Sequence, residues 1–298
     1  MENKGLFFTK SSSIATVATV FALWLAVYFS NEVEDALGYI LILSVGILHG
    51  ANDIKLIQKI TRKEKILSFR SILGSYILGV LLTALSFFVF PSIALILFIG
   101  LSAYHFGEQH WVGKLNPSGR LNKLFYFLYG LVIFNLLFFL NASDTALVIF
   151  DLTGFMLEDY IFKYVLVLCM LPLTIIGVYK YVKEDTSARL GEELFLLALF
   201  FIIFKMASLI WAFSIYFIFW HSLPSLINQI QVLYGQYSTN NVKRYVKSSI
   251  LYWCLAIIGL GLTLYIFRSD QNVFISLFFA FLAAITVPHV FVMHKVLK

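Results

Sequence analysis

The stretch ALGYILILSVGILHGANDIKLI (36–57) decides how this chain folds. A bilayer crossing needs about 20 mostly apolar residues, and this stretch is long enough. It nevertheless holds His49, and Asp53 four residues later. An imidazole in hydrocarbon is costly unless it has a partner, so an ionisable group inside an apolar span is a functional candidate by default. The pattern recurs: His105, His221 and His289 each lie toward the C-terminal end of another apolar stretch.

The whole chain shares this character. Its 298 residues are 60% hydrophobic and 13% charged, where a soluble domain carries about 25% charged residues. Backbone groups in lipid must pair within their own segment, which leaves helices for a chain of this pattern. The expected fold is therefore all-α, a polytopic transmembrane helical bundle forming a single integral membrane domain over residues 1–298. Ser13–Phe29 lacks a small-residue cleavage site and reads as a retained span. The net charge of +6 points to cytoplasmic loops and not to nucleic acid. Cys169 and Cys254 both lie in apolar spans and form no CxxC site.

Candidate spans cover 12–30, 36–57, 71–90, 92–112, 124–141, 161–182, 190–206, 208–231, 248–268 and 273–297. This gives about ten spans, with eight as the lower bound. The 190–231 stretch is too long for one crossing, and Met206-Ala207-Ser208 reads as a short turn within it. Basic residues cluster after the second, fourth, sixth and eighth spans: Lys59, Arg62, Lys63, Lys65 and Arg70; Lys114, Arg120 and Lys123; Lys180, Lys183 and Arg189; Lys243, Arg244 and Lys247. Lys4, Lys10, Lys295 and Lys298 flank the ends. Glu32, Glu34, Asp35, Asp144, Asp151, Glu158 and Asp159 fall in the opposite loops. The positive-inside rule then puts both termini in the cytoplasm of a multi-pass protein of the inner (cytoplasmic) membrane.

On this topology the even-numbered spans run the same way. Their histidines lie about 13–16 residues in, roughly 20–24 Å from the outer face at 1.5 Å per residue. Four imidazoles at matched depth can converge on one metal ion, although spacing does not fix which face each occupies. Asp53 follows His49 by four residues, Glu108 follows His105 by three and Ser225 follows His221 by four. Each is placed to accept the second ring N–H of a ligating imidazole. Pro224 and Pro288 sit beside His221 and His289 and can kink their helices. His110 and His294, five residues after His105 and His289, point elsewhere or lie near the interface. Imidazole ligands suit zinc, copper, iron and nickel alike. Aromatic residues crowd the histidines, and Tyr104, Tyr216 and Trp220 are candidate contacts for a long, flat, apolar substrate; interhelical packing accounts for such residues equally well.

HGANDIKL (49–56), YHFGEQHW (104–111), WHSLPSL (220–226) and VPHVFVMH (287–294) resemble the signatures of the Brp/Blh family of carotene-cleaving membrane enzymes. The likeness runs from about residue 36 to the end. It implies an Fe(II)-dependent dioxygenase that splits β-carotene with O2 at its central double bond into two retinals, with a functional link to a retinal-binding rhodopsin. It implies metal ligation by His49, His105, His221 and His289. Where the family pattern has Arg-His, this chain has Pro224 and Ser225, and it has His110 where the pattern often has aspartate. The expectation is that His110 or His289 completes the ligand set in place of position 225. No catalytic residue beyond the metal ligands is expected, and the substrate is expected to enter from the bilayer between helices. Rival readings are a histidine-lined proton or metal-ion transporter, a haem protein, and a non-catalytic membrane protein of retinal supply.

Overall fold

A computed structural model describes residues 2–61, 68–183, 189–267 and 273–297. Of the loop charges that orient the chain, Arg62, Lys63, Lys65 and Lys298 lie outside these residues, as do the side chains of Lys4 and Lys10. The described elements are helical, and there is no β-strand among the described residues. In chain order they are α1 (Glu2–Tyr28), α2 (Asn31–Ile60), α3 (Phe69–Val89), α4 (Pro91–Trp111), α5 (Asn122–Leu140), α6 (Ala142–Thr153), α7 (Asp159–Lys183), α8 (Leu190–Met206), α9 (Leu209–Tyr234), α10 (Thr239–Ile266) and α11 (Val273–Val296).

Eight helices among the described residues are long and apolar enough to cross a membrane. This is the lower end of the expected eight to ten, because the apolar parts of α1 (Ser12–Tyr28) and α8 are shorter. Leu81, Phe88, Leu168, Ile175 and Leu251 lie exposed on the outer faces, a surface suited to hydrocarbon. The helix α6 occupies a segment expected to be loop, and it ends at Gly154 with φ 76°. Asp144 and Asp151 made that segment read as polar connection, but one turn of charge does not prevent a short helix.

The expected turn at Met206-Ala207-Ser208 separates α8 from α9. Ser208 caps α9 through Oγ, which accepts the Trp211 N–H. Its own N–H donates to Glu34 Oε2 at 2.6 Å, and its hydroxyl donates to Asp35 Oδ1 at 2.6 Å. Glu34 is buried there, so these two acids hold a helix break instead of facing solvent as loop residues. Lys180, assigned to a loop cluster by charge, is also buried and donates to the Arg120 carbonyl at 2.6 Å and to the Asn122 amide oxygen.

Helix α9 is the centre of the bundle. In its most apolar window 67% of residues are buried, against 11% for α3 and α10, which therefore lie at the periphery. Helices α4 and α5 pack backbone to backbone. A Cβ on Gly107 would lie 1.9 Å from the Tyr126 carbonyl oxygen, and one on Gly130 would lie 1.8 Å from that of Ala103. Small residues permit such approach where lipid supplies no hydrophobic drive between helices.

Candidate metal centre

The four histidines expected to share one depth do meet. Ring centroids lie 4.7 Å apart for His49–His289 and His105–His221, and 5.5 Å apart for His49–His221 and His105–His289. All four are buried. Nitrogens of His49, His221 and His289 fall within 4.8 Å of one another, the spacing of a common metal ion. His105 stands against this trio through His221 and His289.

Local backbone geometry delivers the rings. Two stretches of π-helix interrupt the α-helices, Ile42–Gly46 just before His49 and Tyr216–Ser222 around His221. Such insertions rotate the residues that follow and recur at functional sites. The His49 Nδ1–H donates to the Gly46 carbonyl, which leaves Nε2 for a ligand. A turn at Ala51–Asn52 then breaks α2, and Asp53 opens the next helical segment. The break is held from α10: Asn52 Nδ2 donates to the Tyr245 carbonyl at 3.2 Å and to Ser249 Oγ, and Ser248 Oγ donates to Asn52 Oδ1 at 2.8 Å. The Tyr245 hydroxyl lies 3.0 Å from the His49 carbonyl and 2.6 Å from Gln229 Oε1, and can donate to one at a time.

That turn redirects Asp53. The expected pairing with His49 assumed an unbroken helix; instead Asp53 grips His289, whose Nδ1 lies 2.9 and 3.0 Å from the two carboxylate oxygens. Tyr76 donates to the same carboxylate at 2.9 Å. A carboxylate on Nδ1 fixes the tautomer and presents Nε2 to a metal. Glu108 likewise serves a different histidine from the expected one. It accepts from His294 Nδ1 at 2.9 Å and from the Tyr104 hydroxyl at 2.9 Å, not from His105. Ser225 Oγ accepts from Gln229 Nε2 at 3.1 Å and lies 3.9 Å from Met293 Sδ, so it serves no histidine.

His110 stands apart from the four. Its Nε2 lies 2.7 Å from Glu193 Oε2 and 3.0 Å from Lys114 Nζ, and its ring stacks on Tyr129. Of the two residues expected to replace the ligand at position 225, His289 joins the cluster and His110 is committed to a carboxylate on α8.

Chemistry distinguishes the cluster from ordinary core. His49 Nε2, His289 Nε2, His221 Nδ1 and both nitrogens of His105 are buried with no hydrogen-bond partner among the described residues. A buried polar atom left unpaired costs about 1–3 kcal/mol. Several such atoms converging on one point fit a metal ion, which would pair them together. The donor set is nitrogen throughout, so it suits a borderline transition metal over magnesium or calcium.

One cavity adjoins the cluster, and a second lies beyond Phe106 and Phe217. The larger, about 300 Å³, is lined by His49, Asp53, Tyr76, Phe217 and His289 among others. Its outer wall includes Ile77 and Leu81 of α3 and Leu255 of α10, all exposed, so it opens sideways toward the lipid-facing surface. The smaller, about 100 Å³, is lined by Phe98, Phe106, Phe134, Phe138 and Phe213 among others.

A sequence model of the family described as Beta-carotene 15,15'-dioxygenase matches residues 40–296. This chain belongs to that family. The match covers the four histidines, both cavities and every helix from α3 to α11. No curated protein and no solved structure matches the chain.

Within this family member the aromatic residues on the cavity walls differ from those expected. Tyr104 is turned to Glu108. Tyr216 packs edge-on against Phe200 and Phe204. Trp220 donates to Thr19 Oγ1 of α1 at 2.9 Å. None of the three lines either cavity. The walls use Phe217 and Phe213 instead, four and eight residues before His221. Those offsets were a usable signal, since residues four apart share a helix face.

Proposed function

We propose that this chain is an iron-dependent dioxygenase that splits β-carotene at its central double bond. The carbon–carbon double bond breaks, one oxygen atom of O2 joins each carbon, and two molecules of retinal leave; no external reductant is needed. The observation that carries the reading is the set of buried imidazole nitrogens without partners among the described residues, with those of His49, His221 and His289 within 4.8 Å of one another. His49, His105, His221 and His289 would hold Fe(II), which supplies the oxygen chemistry when bound. Asp53 orients His289, and the Gly46 carbonyl orients His49. The apolar cavity beside them accepts the polyene and excludes water from the reacting bond. An opening between α3 and α10 suits a substrate that partitions into the bilayer.

In this reading the chain is a single integral membrane domain of the inner (cytoplasmic) membrane, with both termini on the cytoplasmic side. Its retinal would serve a retinal-binding rhodopsin. Expression in carotene-producing bacteria tests the reaction. Loss of orange colour with retinal accumulating is expected. Unchanged carotene in cells holding inserted, iron-loaded protein would overturn it.

A further inference from the structure

The two cavities share three wall residues, Phe217, Leu282 and Thr286. They differ in access. The larger has exposed residues of α3 and α10 in its wall, whereas none of the residues lining the smaller is exposed. The smaller is therefore the more sheltered of the two, and the shared wall stands between it and the outer one.

Phe217 is the bulkiest part of that wall and is tied to the metal centre. Its ring lies 5.7 Å from His221 at an interplanar angle of 15°, 5.5 Å edge-on from His49, and 5.9 Å from Phe106, itself stacked 4.0 Å from His221. The ring also rests on Gly46, where a Cβ would lie 2.7 Å from Phe217 Cε1. It therefore cannot swing toward α2 without pressing on the residue whose carbonyl holds His49.

Resting on the proposed carotenoid cleavage, we infer that Phe217 is the specificity-determining partition of one substrate channel. The outer chamber takes the trailing half of the polyene from the membrane, the inner chamber takes the leading half, and the Phe217 ring sets how far the chain slides past the histidines. The bond that stops beside them is the bond cut. A gap of this kind is sensitive to side-chain size, because one methylene in an apolar pocket changes discrimination by about 10–200-fold.

The test uses full-length protein with Phe217→Ala, Phe217→Leu and Phe217→Trp. The first measurement is anaerobic binding, which needs neither metal nor turnover, with β-carotene and with retinal as probes. Phe217→Trp is expected to weaken β-carotene binding at least tenfold while changing retinal binding less than twofold, since a half-length chain fits the outer chamber. The second is product analysis after iron loading and admission of O2. Phe217→Ala is expected to raise the share of off-centre aldehydes at least tenfold, with Phe217→Leu between it and the parent. Equal effects of Phe217→Trp on both probes, or unchanged product ratios in iron-loaded Phe217→Leu, would overturn the partition while leaving the cleavage reading intact. A parent protein that binds β-carotene in this Phe217-sensitive way yet cuts nothing would overturn the cleavage reading and support the partition. A parent that neither binds nor cuts it would sink both.

Discussion

The chain buries two histidines five residues apart on α4, His105 and His110, in surroundings built in opposite ways. At one, His105 packs against His221 and His289, which in turn meet His49, with ring nitrogens left unpartnered among the described residues. At the other, His110 is matched by Glu193 and Lys114 within 3.0 Å and sealed under Tyr129. Both sites are buried and both hold imidazole. The difference is what the partners leave over. A carboxylate and an ammonium both meet His110 at Nε2, which either donates to Glu193 or accepts from Lys114. Around His49 and His289, by contrast, one backbone carbonyl and one carboxylate take Nδ1 and leave Nε2 facing a shared centre. Burial alone therefore does not separate the two sites; nitrogens left without a partner do.

The comparison breaks first on metal content. His49→Ala, His105→Ala, His221→Ala and His289→Ala are each expected to lose bound iron and carotene cleavage. His110→Ala is expected to keep one iron per chain. Elemental analysis of the purified variants decides, and an iron-free His110→Ala that remains folded would erase the distinction between the two groups.

The second contrast separates two carboxylates that each hold a histidine. Asp53 grips His289 of the centre, whereas Glu108 grips His294 beside it. Removing a carboxylate that orients a metal-bound imidazole costs about 10–100-fold in metal affinity. Asp53→Asn is expected to fall in that range in a chelator competition, and Glu108→Gln is expected to change iron affinity little.

The sequence carried the residues of the centre much better than their partners. Matched depth on separate spans was enough to single out His49, His105, His221 and His289, because rise per residue is a constant of the helix. Pairings at i+3 and i+4 failed because they assume an unbroken helix. The turn at Ala51–Asn52 sent Asp53 to His289, and the π-helical stretch around His221 displaced Ser225 from it. The turn has no short-range signature, since the clasp on Asn52 comes from Tyr245, Ser248 and Ser249, almost two hundred residues away, whereas the π-helical stretch around His221 ends two residues before Pro224. The aromatic contacts were missed for a related reason. Tyr104, Tyr216 and Trp220 stand out in the sequence as aromatics beside the histidines, but Tyr104 and Trp220 bond to Glu108 and Thr19, and the walls are built from Phe213 and Phe217 with Tyr76 and Tyr252.

A third contrast concerns stability. Glu193 accepts from His110 and from Lys114, each at 2.7 Å. Glu193→Ala strips both of a buried partner and is expected to cost about 1–3 kcal/mol of stability. Iron content should stay unchanged, which thermal unfolding and metal analysis together would show.

The finest test returns to position 225, where the family pattern carries histidine and this chain carries serine. Ser225 is fully buried between Gln229 and Met293, one turn beyond His221 on a helix whose π-helical stretch ends at Ser222. Its hydroxyl is occupied by Gln229, whose amide oxygen lies within reach of Tyr245 and so joins the clasp beneath His49. Position 225 thus touches no histidine and holds instead the Gln229 amide to which Tyr245 can donate. Ser225→Ala removes one hydrogen-bond acceptor and is expected to cost about 1 kcal/mol, with iron retained. Ser225→His places a larger ring in filled space and is expected to cost about 1–3 kcal/mol by overpacking, with no gain in iron affinity because His289 already completes the four. A tighter-binding Ser225→His protein would show instead that the centre has room for a fifth imidazole, and that saturation by four does not describe it.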